Sequence, residues 1–465
     1  MYSDADRPAL HVRLADEAYR LGPAASAESY LKIDALLDVA RRSGADAVHP
    51  GYGFLSENAA FADACADVGL TFIGPPPHAM RALGEKTAAR RLARDAGVPT
   101  AAGLMEALDD PAALHSHAVA IGFPVVLKAA AGGGGKGMRV VREETGIDVA
   151  IRNAMGEARG AFGDPALYVE KFVERARHIE MQFLADTHGA IVWLGERDCS
   201  VQRRHQKLIE EAPGPSVDDA LRERLGAAAI TLARACGYVN AGTAEFLVDA
   251  SGRFYFLEVN ARLQVEHPVT EAVSGVDLVA LQLLIAAGEG LPFAQADVAR
   301  RGHAIEFRIS AEDPSHEFLP SAGSVTFVRE AAGPGIRVDS SLYPGLRVPT
   351  EYDPLLAKLI AHGRDRAEAL ARARRALRET IVTGVRTTIP FHEYALREPD
   401  FVAGTYDTDY VPRHWPPQGA RESADGVAAA AGLAAVLSRR SSSATPSMPD
   451  VSSEWTRSAR EDALR

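Results

Sequence analysis

Cysteine is scarce in this chain: Cys65, Cys199 and Cys236 are the only three in 465 residues. They are widely spaced, with no CxxC pair and no Cys/His ligand spacing, which argues against a disulfide framework or a zinc site. Cys199 stands among charged residues and reads as a small buried thiol. Basic residues are not in excess either. The net charge of −11 and the lack of a basic tract argue against nucleic acid as a partner. A few local cations can still hold an anionic ligand. No apolar run is long enough to span a bilayer and no signal peptide opens the chain, so a membrane role is not expected and a cytoplasmic setting is. No repeat of fixed period is present. What the chain does have is 47% hydrophobic residues, enough for large cores, and a length that suggests about three domains of roughly 150 residues each.

Met1–Asp6 reads as a loop. Helical and extended patterns then alternate: a helix over Tyr30–Ser43, short strands at Ala47–His49 and Leu70–Ile73, and a helical stretch from Gly84 to Ala96. Such alternation predicts a parallel α/β sheet. Further strands are expected at Ile121–Ala129, Arg139–Arg142 and Leu167–Phe172, with a helix around Ile147–Arg159. From His178 the pattern turns antiparallel, with His178–Ala185 and Ile191–Gly195 flanking a Thr187-His188-Gly189 turn. Arg222–Cys236 reads as a helix. A mixed region runs from His303 to about Gly404. A helix is expected over Gly426–Arg439, followed by a disordered run from Ser441.

Four stretches carry chemistry. Lys128 ends an apolar strand and is followed by Gly132-Gly133-Gly134-Gly135-Lys136-Gly137-Met138. Glycines let backbone N–H groups approach a phosphate, and Lys128 adds a point charge. The spacing is not that of a P-loop, and a strand follows instead of a helix, so the expectation is a flap between two strands. Arg197-Asp198-Cys199-Ser200-Val201-Gln202-Arg203-Arg204-His205-Gln206-Lys207 holds four cations and a histidine against one aspartate, which suits an anionic ligand. Glu258-Val259-Asn260-Ala261-Arg262-Leu263-Gln264-Val265-Glu266-His267 alternates polar and apolar residues, so an extended chain would line up carboxylate, amide, guanidinium, amide and carboxylate on one face. Upstream, Thr243–Asp249 and Arg253–Val259 read as a hairpin. With Ser251-Gly252 as a two-residue loop, Glu245 lies directly across from Glu258, and a slip of one residue would send Glu245 to the other face. Two opposed carboxylates repel, and with Asn260 on the same side they form a hard oxygen set for Mg²⁺ or Mn²⁺. Val169-Glu170-Lys171-Phe172-Val173 is a weaker signal, a strand edge suited to an adenine rim or to a plain surface pair.

Taken together these stretches resemble the biotin carboxylase component of biotin-dependent acyl-CoA carboxylases, an ATP-grasp enzyme. The resemblance is carried by His49-Pro50-Gly51-Tyr52-Gly53-Phe54-Leu55-Ser56-Glu57-Asn58, Lys128 through Met138, Glu196 through Pro213, Glu258 through His267, and Glu306-Phe307-Arg308-Ile309-Ser310-Ala311-Glu312-Asp313. It implies an α/β and α+β architecture: an incomplete pre-ATP-grasp domain over residues 1–83, an ATP-grasp domain over 84–290 with a lid at about 100–172, a mixed C-terminal domain over 300–405, and a linker and tail over 416–465. Against the family pattern, the first βα unit of the N-terminal sheet is missing ahead of Met1, which lowers the expected stability.

The resemblance also implies roles. Lys86, Lys128, Gly133, Gly134, Gly135, Met138, Glu170, Lys171, His178, Gln202, His205 and Lys207 would surround ATP. Glu245, Glu258 and Asn260 would hold Mg²⁺ or Mn²⁺, while Arg262, Gln264 and Val265 would seat bicarbonate. Glu266 would be the base, Arg308 would stabilise the biotin enolate, and Arg262 and Lys207 would assist. The implied reaction carboxylates biotin through carboxyphosphate. No Ala-Met-Lys-Met run occurs in the sequence, so biotin is expected on a separate carrier domain or protein. The further partner implied is a carboxyltransferase subunit; a homo-oligomer is left open. Two rivals remain: another ATP-grasp ligase forming an acyl phosphate, and a non-catalytic protein serving assembly. Arg308 and the run from Arg262 to Glu266 argue against the first.

Overall fold

The computed structural model describes residues 1–104, 106–130 and 138–415. Gly133, Gly134, Gly135 and the expected helix over Gly426–Arg439 lie outside the described residues.

Met1–Asp6 is not a plain loop. Strand β1 (Tyr2–Ser3) pairs in parallel with β2 (Arg20–Gly22). Side chains hold it from a distance: Tyr30 Oη accepts the Ser3 N–H at 3.1 Å, and the Ser3 hydroxyl meets Tyr352 Oη at 2.5 Å. A second parallel pair joins β3 (Ala47–Val48) to β4 (Thr71–Phe72), as the alternation predicts. The two pairs are separate sheets among the described residues. The helix Ile33–Ser43 ends on Gly44 at φ 66°, a left-handed cap that glycine adopts without strain.

Three antiparallel strands form the lid sheet, in the order β6 (Met138–Val141), β5 (Val125–Ala129), β7 (Leu167–Lys171). Strand β5 is shorter than expected. The helix Pro111–Ile121, capped by the Asp110 carboxylate, takes the first residue of the expected strand, and Gly122 closes that helix. The short apolar run Ala112-Ala113-Leu114 hides this helix, because its pattern does not separate helix from buried strand. Helix Ile147–Phe162 packs on the same sheet through Ile147, Ile151 and Ala158.

The main element is an eight-stranded antiparallel sheet. Its order is β12 (Phe254–Asn260), β11 (Asn240–Val248), β8 (Arg177–Ala185), β9 (Ile191–Arg203), β10 (Gln206–Ala212), β13 (His303–Ser310), then the strands Leu355–Gly363 and Ile336–Ser340. It is continuous through the β10–β13 pairing, so one sheet joins strands on either side of residue 300. Helix Asp219–Ala235 covers one part through Leu225, Ala229 and Leu232, and helix Arg366–Glu379 covers another through Leu370, Ala373 and Leu377. No single described helix is long and apolar enough to cross a membrane.

The sheet corrects one expectation. Strand β9 does not stop at Gly195 but runs to Arg203, and it turns into β10 at Arg204 and His205, with φ of 49° and 66°. The cationic run is therefore a hairpin, and its alternation divides the cations. Arg197 is fully buried inside the sheet. Arg203 stacks on the Phe318 ring at 5.0 Å, and Arg204 faces solvent beside Glu317. Of the five basic or histidine side chains, only His205 and Lys207 reach the cavity described next.

Candidate active site

One face of the large sheet, the lid strands and the first residues of helix Lys86–Asp95 enclose a cavity of about 580 Å³. Lys86, Lys128, Met138, Glu170, Lys171, His178, Gln202, His205, Lys207, Glu245, Glu258, Asn260, Arg262, Gln264, Val265, Glu266 and Arg308 all line it. These are all the described residues proposed from sequence, brought together from strands far apart in the chain.

The hairpin shows how local structure sets this up. Its turn is one residue longer than expected: the Asp249 N–H donates to the Arg253 carbonyl, leaving Ala250-Ser251-Gly252 as the loop with Gly252 at φ 77°. That alone would place Leu257 opposite Glu245. A β-bulge at Leu257 takes up the extra residue and restores Glu245 opposite Glu258 and Thr243 opposite Asn260. The expected carboxylate pair is present, reached by a longer loop and a compensating bulge. Phe256 packs in the core and also reaches the cavity wall, and because of the bulge Leu257 and Glu258 line the cavity beside it.

The pair extends into a row. Glu245 also lies opposite Glu180 of β8, and Glu180 opposite Arg197 of β9. Three carboxylates on adjacent strands need cations. Lys207 Nζ supplies one, donating to Glu180 Oε2 at 2.5 Å, Glu245 Oε1 at 2.9 Å and Glu266 Oε1 at 2.6 Å. Arg197 supplies another through Glu180 Oε1 at 2.5 Å, and also fixes Gln264 Oε1 at 2.6 Å. His178 Nε2 donates to Glu245 Oε2 at 2.8 Å.

Charge follows from this wiring. Burial pushes the Glu245 carboxyl up, but Lys207 and His178 outweigh it and hold the group well below the usual carboxylate range. Glu266 is held down in the same way, against burial, by Lys207, Arg308 and Arg197. Glu258 goes the other way: burial and then the Glu245 charge raise it. Glu258 makes no hydrogen bond or ion pair with a described residue. An under-neutralised carboxylate, opposed to a second one and flanked by the Asn260 amide, is the donor set a hard divalent cation fits. Glu258 would meet such an ion directly, whereas Glu245 would exchange part of its bonding to His178 or Lys207.

After Asn260 the strand ends, and residues 261–266 form a loop before helix His267–Ser274. The loop is braced from two sides. Glu57 accepts the Ala261 N–H at 2.8 Å and Arg262 Nε at 2.9 Å, and Lys358 Nζ donates to the Val265 carbonyl at 2.8 Å. Arg308 reaches Glu266 Oε2 at 2.9 Å through Nη2. On the lid side, Lys128 Nζ donates to Glu170 Oε2 at 2.7 Å, and Arg90 pairs with the same carboxylate. Lys171 Nζ donates to the carbonyls of Gly122 and Phe123. Burial, then His178, Lys128 and Lys86, lowers His205.

Glu180, Arg90 and Lys358 escaped the sequence reading, and Glu57 was quoted there without a role. A signal for Glu180 existed: Glu180 and Gln182 alternate with Ile179, Met181 and Phe183 in the same polar-apolar pattern as the run from Glu258.

Comparison with known proteins identifies the family. Three family models match in succession: the N-terminal domain of biotin carboxylase over residues 1–80, the ATP-binding domain of the carbamoyl-phosphate synthase L chain over 85–294, and the C-terminal domain of biotin carboxylase over 306–413. A biotin carboxylase of Nostoc is 51% identical over 411 residues, covering 88% of this chain and 92% of that protein. Biotin carboxylase 1 of Bacillus subtilis is 48% identical over 412 residues, covering 88% and 92%. Among solved structures, the biotin carboxylase–β,γ-ATP complex of Campylobacter jejuni aligns with a TM-score of 0.86 at 46% identity, over 89% of this chain and 92% of that one. The biotin carboxylase domain dimer of Hydrogenobacter thermophilus 2-oxoglutarate carboxylase, with MgADP, ADP and bicarbonate, aligns with the same TM-score at 43% identity, over 89% and 91%. With about half of its residues shared over most of its length, and the same fold, the chain belongs to the biotin carboxylase family.

Proposed function

We propose that this chain uses ATP and bicarbonate to carboxylate biotin held on a separate carrier, the first half-reaction of a biotin-dependent carboxylase. One observation carries the reading: Lys207 joins Glu245 and Glu266, and Arg308 holds the far oxygen of Glu266, so the proposed metal, bicarbonate and biotin groups form one continuous network.

Phosphoryl transfer asks mainly for alignment and charge neutralisation. Lys86, Lys128 and Lys207 supply positive charge along the cavity wall for the phosphates of ATP, His205 adds a neutral imidazole, and Met138 and Leu257 form an apolar wall for the base. Glu245, Glu258 and Asn260 would hold Mg²⁺ or Mn²⁺, which when bound neutralises phosphate oxygens. Arg262, the Gln264 amide and the Val265 backbone would seat bicarbonate on the braced loop.

Glu266 is ionised at rest and so is in the form that accepts a proton. The cations that keep it a weak base, Lys207 and Arg308, are the ones an incoming bicarbonate and phosphate would engage. Drawing them toward substrate raises the proton affinity of Glu266 when a base is needed. Deprotonated bicarbonate would attack the γ-phosphorus of ATP with ADP leaving, and the carboxyphosphate formed would break down to CO₂ and phosphate; phosphate takes the biotin N1′ proton, Arg308 faces the enolate oxygen, and N1′ adds to CO₂.

The reading extends to a carrier protein, a carboxyltransferase subunit and a cytoplasmic setting. Its test is ADP release by the full chain. Release should need Mg²⁺, bicarbonate and free biotin together; release driven by an amine with none driven by biotin would assign a different ATP-grasp ligase.

A further inference from the structure

Behind Arg308 lies a second carboxylate pair that the proposed reaction does not use. Glu210 of β10 is directly opposite Glu306 of β13. Both side chains are fully buried. Of their four oxygens only Glu210 Oε1 has a partner, Arg308 Nε at 2.5 Å; Glu210 Oε2 and both oxygens of Glu306 have none among the described residues.

The surrounding cations are already engaged. From β10, Lys207 Nζ has its three bonds to Glu180, Glu245 and Glu266. From the strand Leu355–Gly363, Lys358 is bound to the Val265 carbonyl and faces Asp339 of the neighbouring strand at 3.4 Å. From β9, Arg197 is saturated by Glu180 and by side-chain oxygens of Gln182, Thr243, Gln264 and Thr270, and Cys199 is a neutral buried thiol. Helix His267–Ser274 contributes His267, kept neutral by burial, and the loop contributes Glu266. Arg308 itself divides between Glu210 and Glu266. No described cation is left for Glu306, and two ionised carboxylates facing each other in a dry site repel.

We propose that Glu306 keeps its proton and acts as a positioning residue: while it is neutral, Glu210 alone holds the rear of the Arg308 guanidinium and leaves its front on Glu266. Loss of that proton adds a second negative charge behind Arg308, draws the guanidinium back from Glu266, and switches the biotin step off at alkaline pH. The chemistry of the surroundings agrees. Burial, with Glu210 and Glu266 adding to it against Lys358 and Arg308, pushes Glu306 well above the usual carboxylate range; burial likewise pushes Glu210 up to about 7. Glu306 thus retains a proton in the folded state that the unfolded chain has lost, so its contribution to stability declines as pH rises through the folded value.

The inference rests on the biotin carboxylase reading, and its test separates the two. Biotin- and bicarbonate-dependent ADP release by the full chain is followed across neutral and alkaline pH for the native protein and Glu306→Gln. Glu306→Gln should stay within about threefold of native at neutral pH and lose the alkaline decline, with the limb displaced by about one pH unit or more, or about tenfold in rate at its end. An alkaline limb at the same pH in both proteins overturns the proposal, as does a folded Glu306→Gln that is inactive at neutral pH. Infrared spectra give a second readout that does not depend on turnover, with the band assigned to Glu306 by its loss in Glu306→Gln. A protonated-carboxyl stretch should be present at neutral pH and vanish in step with the alkaline decline; its absence at neutral pH overturns the proposal. If the native protein shows no biotin-dependent ADP release, the functional reading fails, and the infrared difference between native protein and Glu306→Gln still decides whether Glu306 is protonated.

Discussion

Lys207 is the side chain on which the site's charge balance turns. Its ammonium is held well above its ordinary range because Glu180, Glu245 and Glu266 outweigh the burial that would lower it. Removing one member of a buried ion cluster leaves the others uncompensated, typically at about 3–5 kcal/mol. Lys207→Gln should therefore lose roughly that much stability in thermal or denaturant unfolding, and its ADP release should fall by about 10²–10³. Native-like stability and rate together would show that the cluster is neutralised some other way. Glu57 acts on a single contact. Glu57→Gln weakens the clamp on Arg262 and the Ala261 N–H, a charge-assisted bond of about 1.5–3 kcal/mol. The KM for bicarbonate should rise about tenfold or more with kcat little changed, and an unchanged KM would count against Arg262 as the bicarbonate group. Neither role was legible in sequence. The alternation of Glu258 to Glu266 shows which side chains share a face, but the partners of that face come from β8, β10 and residue 57, whose proximity is set by the sheet and not by spacing. Arg197 is the converse case: as one of a run of cations it suggested an external anion, and the β8–β9 pairing gives it Glu180 instead.

At the scale of elements, the hairpin β11–β12 shows how much register depends on small irregularities. The polar alternation and the Ser251-Gly252 turn led to the right opposed pair, although the loop is longer than the turn residues suggested and a bulge corrects for it. Nothing local in Phe256-Leu257-Glu258 announces a bulge; the core at Phe254 and Phe256 demands one face while Glu258 is needed on the other. Leu257 is the inserted residue, so deleting it should preserve the pairing of Glu245 with Glu258. Mg²⁺-dependent ADP release should survive, with the KM for ATP raised about tenfold by loss of one apolar wall residue, worth about 1.5 kcal/mol or more. Deleting Phe256 instead removes a core side chain and should cost about 3–5 kcal/mol. A folded Leu257 deletion with no metal-dependent turnover would refute this account of the bulge.

For the whole molecule, the site is bound to two histidines that act through stability. His392 donates from Nε2 to the Arg308 carbonyl at 2.7 Å, while its buried Nδ1 has no partner among the described residues. Burial pulls it down to about 4. His267 donates from Nδ1 to the Gln264 carbonyl at 2.7 Å, and burial, then Lys358, pulls it down to about 3. Both rings stay neutral in the folded chain, whereas in the unfolded chain they take up a proton near pH 6.5. Between that pH and about 4 the unfolded state binds more protons, so stability falls as pH falls. Each fully buried histidine contributes about 1.4 kcal/mol for every pH unit by which folding lowers its titration, or on the order of 3 kcal/mol for His392. The denaturant midpoint of the native protein should therefore drop between neutral pH and pH 5. His392→Gln, which keeps an N–H donor for the Arg308 carbonyl and has nothing to titrate, should show a shallower drop. An equal slope in both proteins would mean that His392 is protonated in the folded state, and that the carbonyl behind Arg308 is held by an imidazolium.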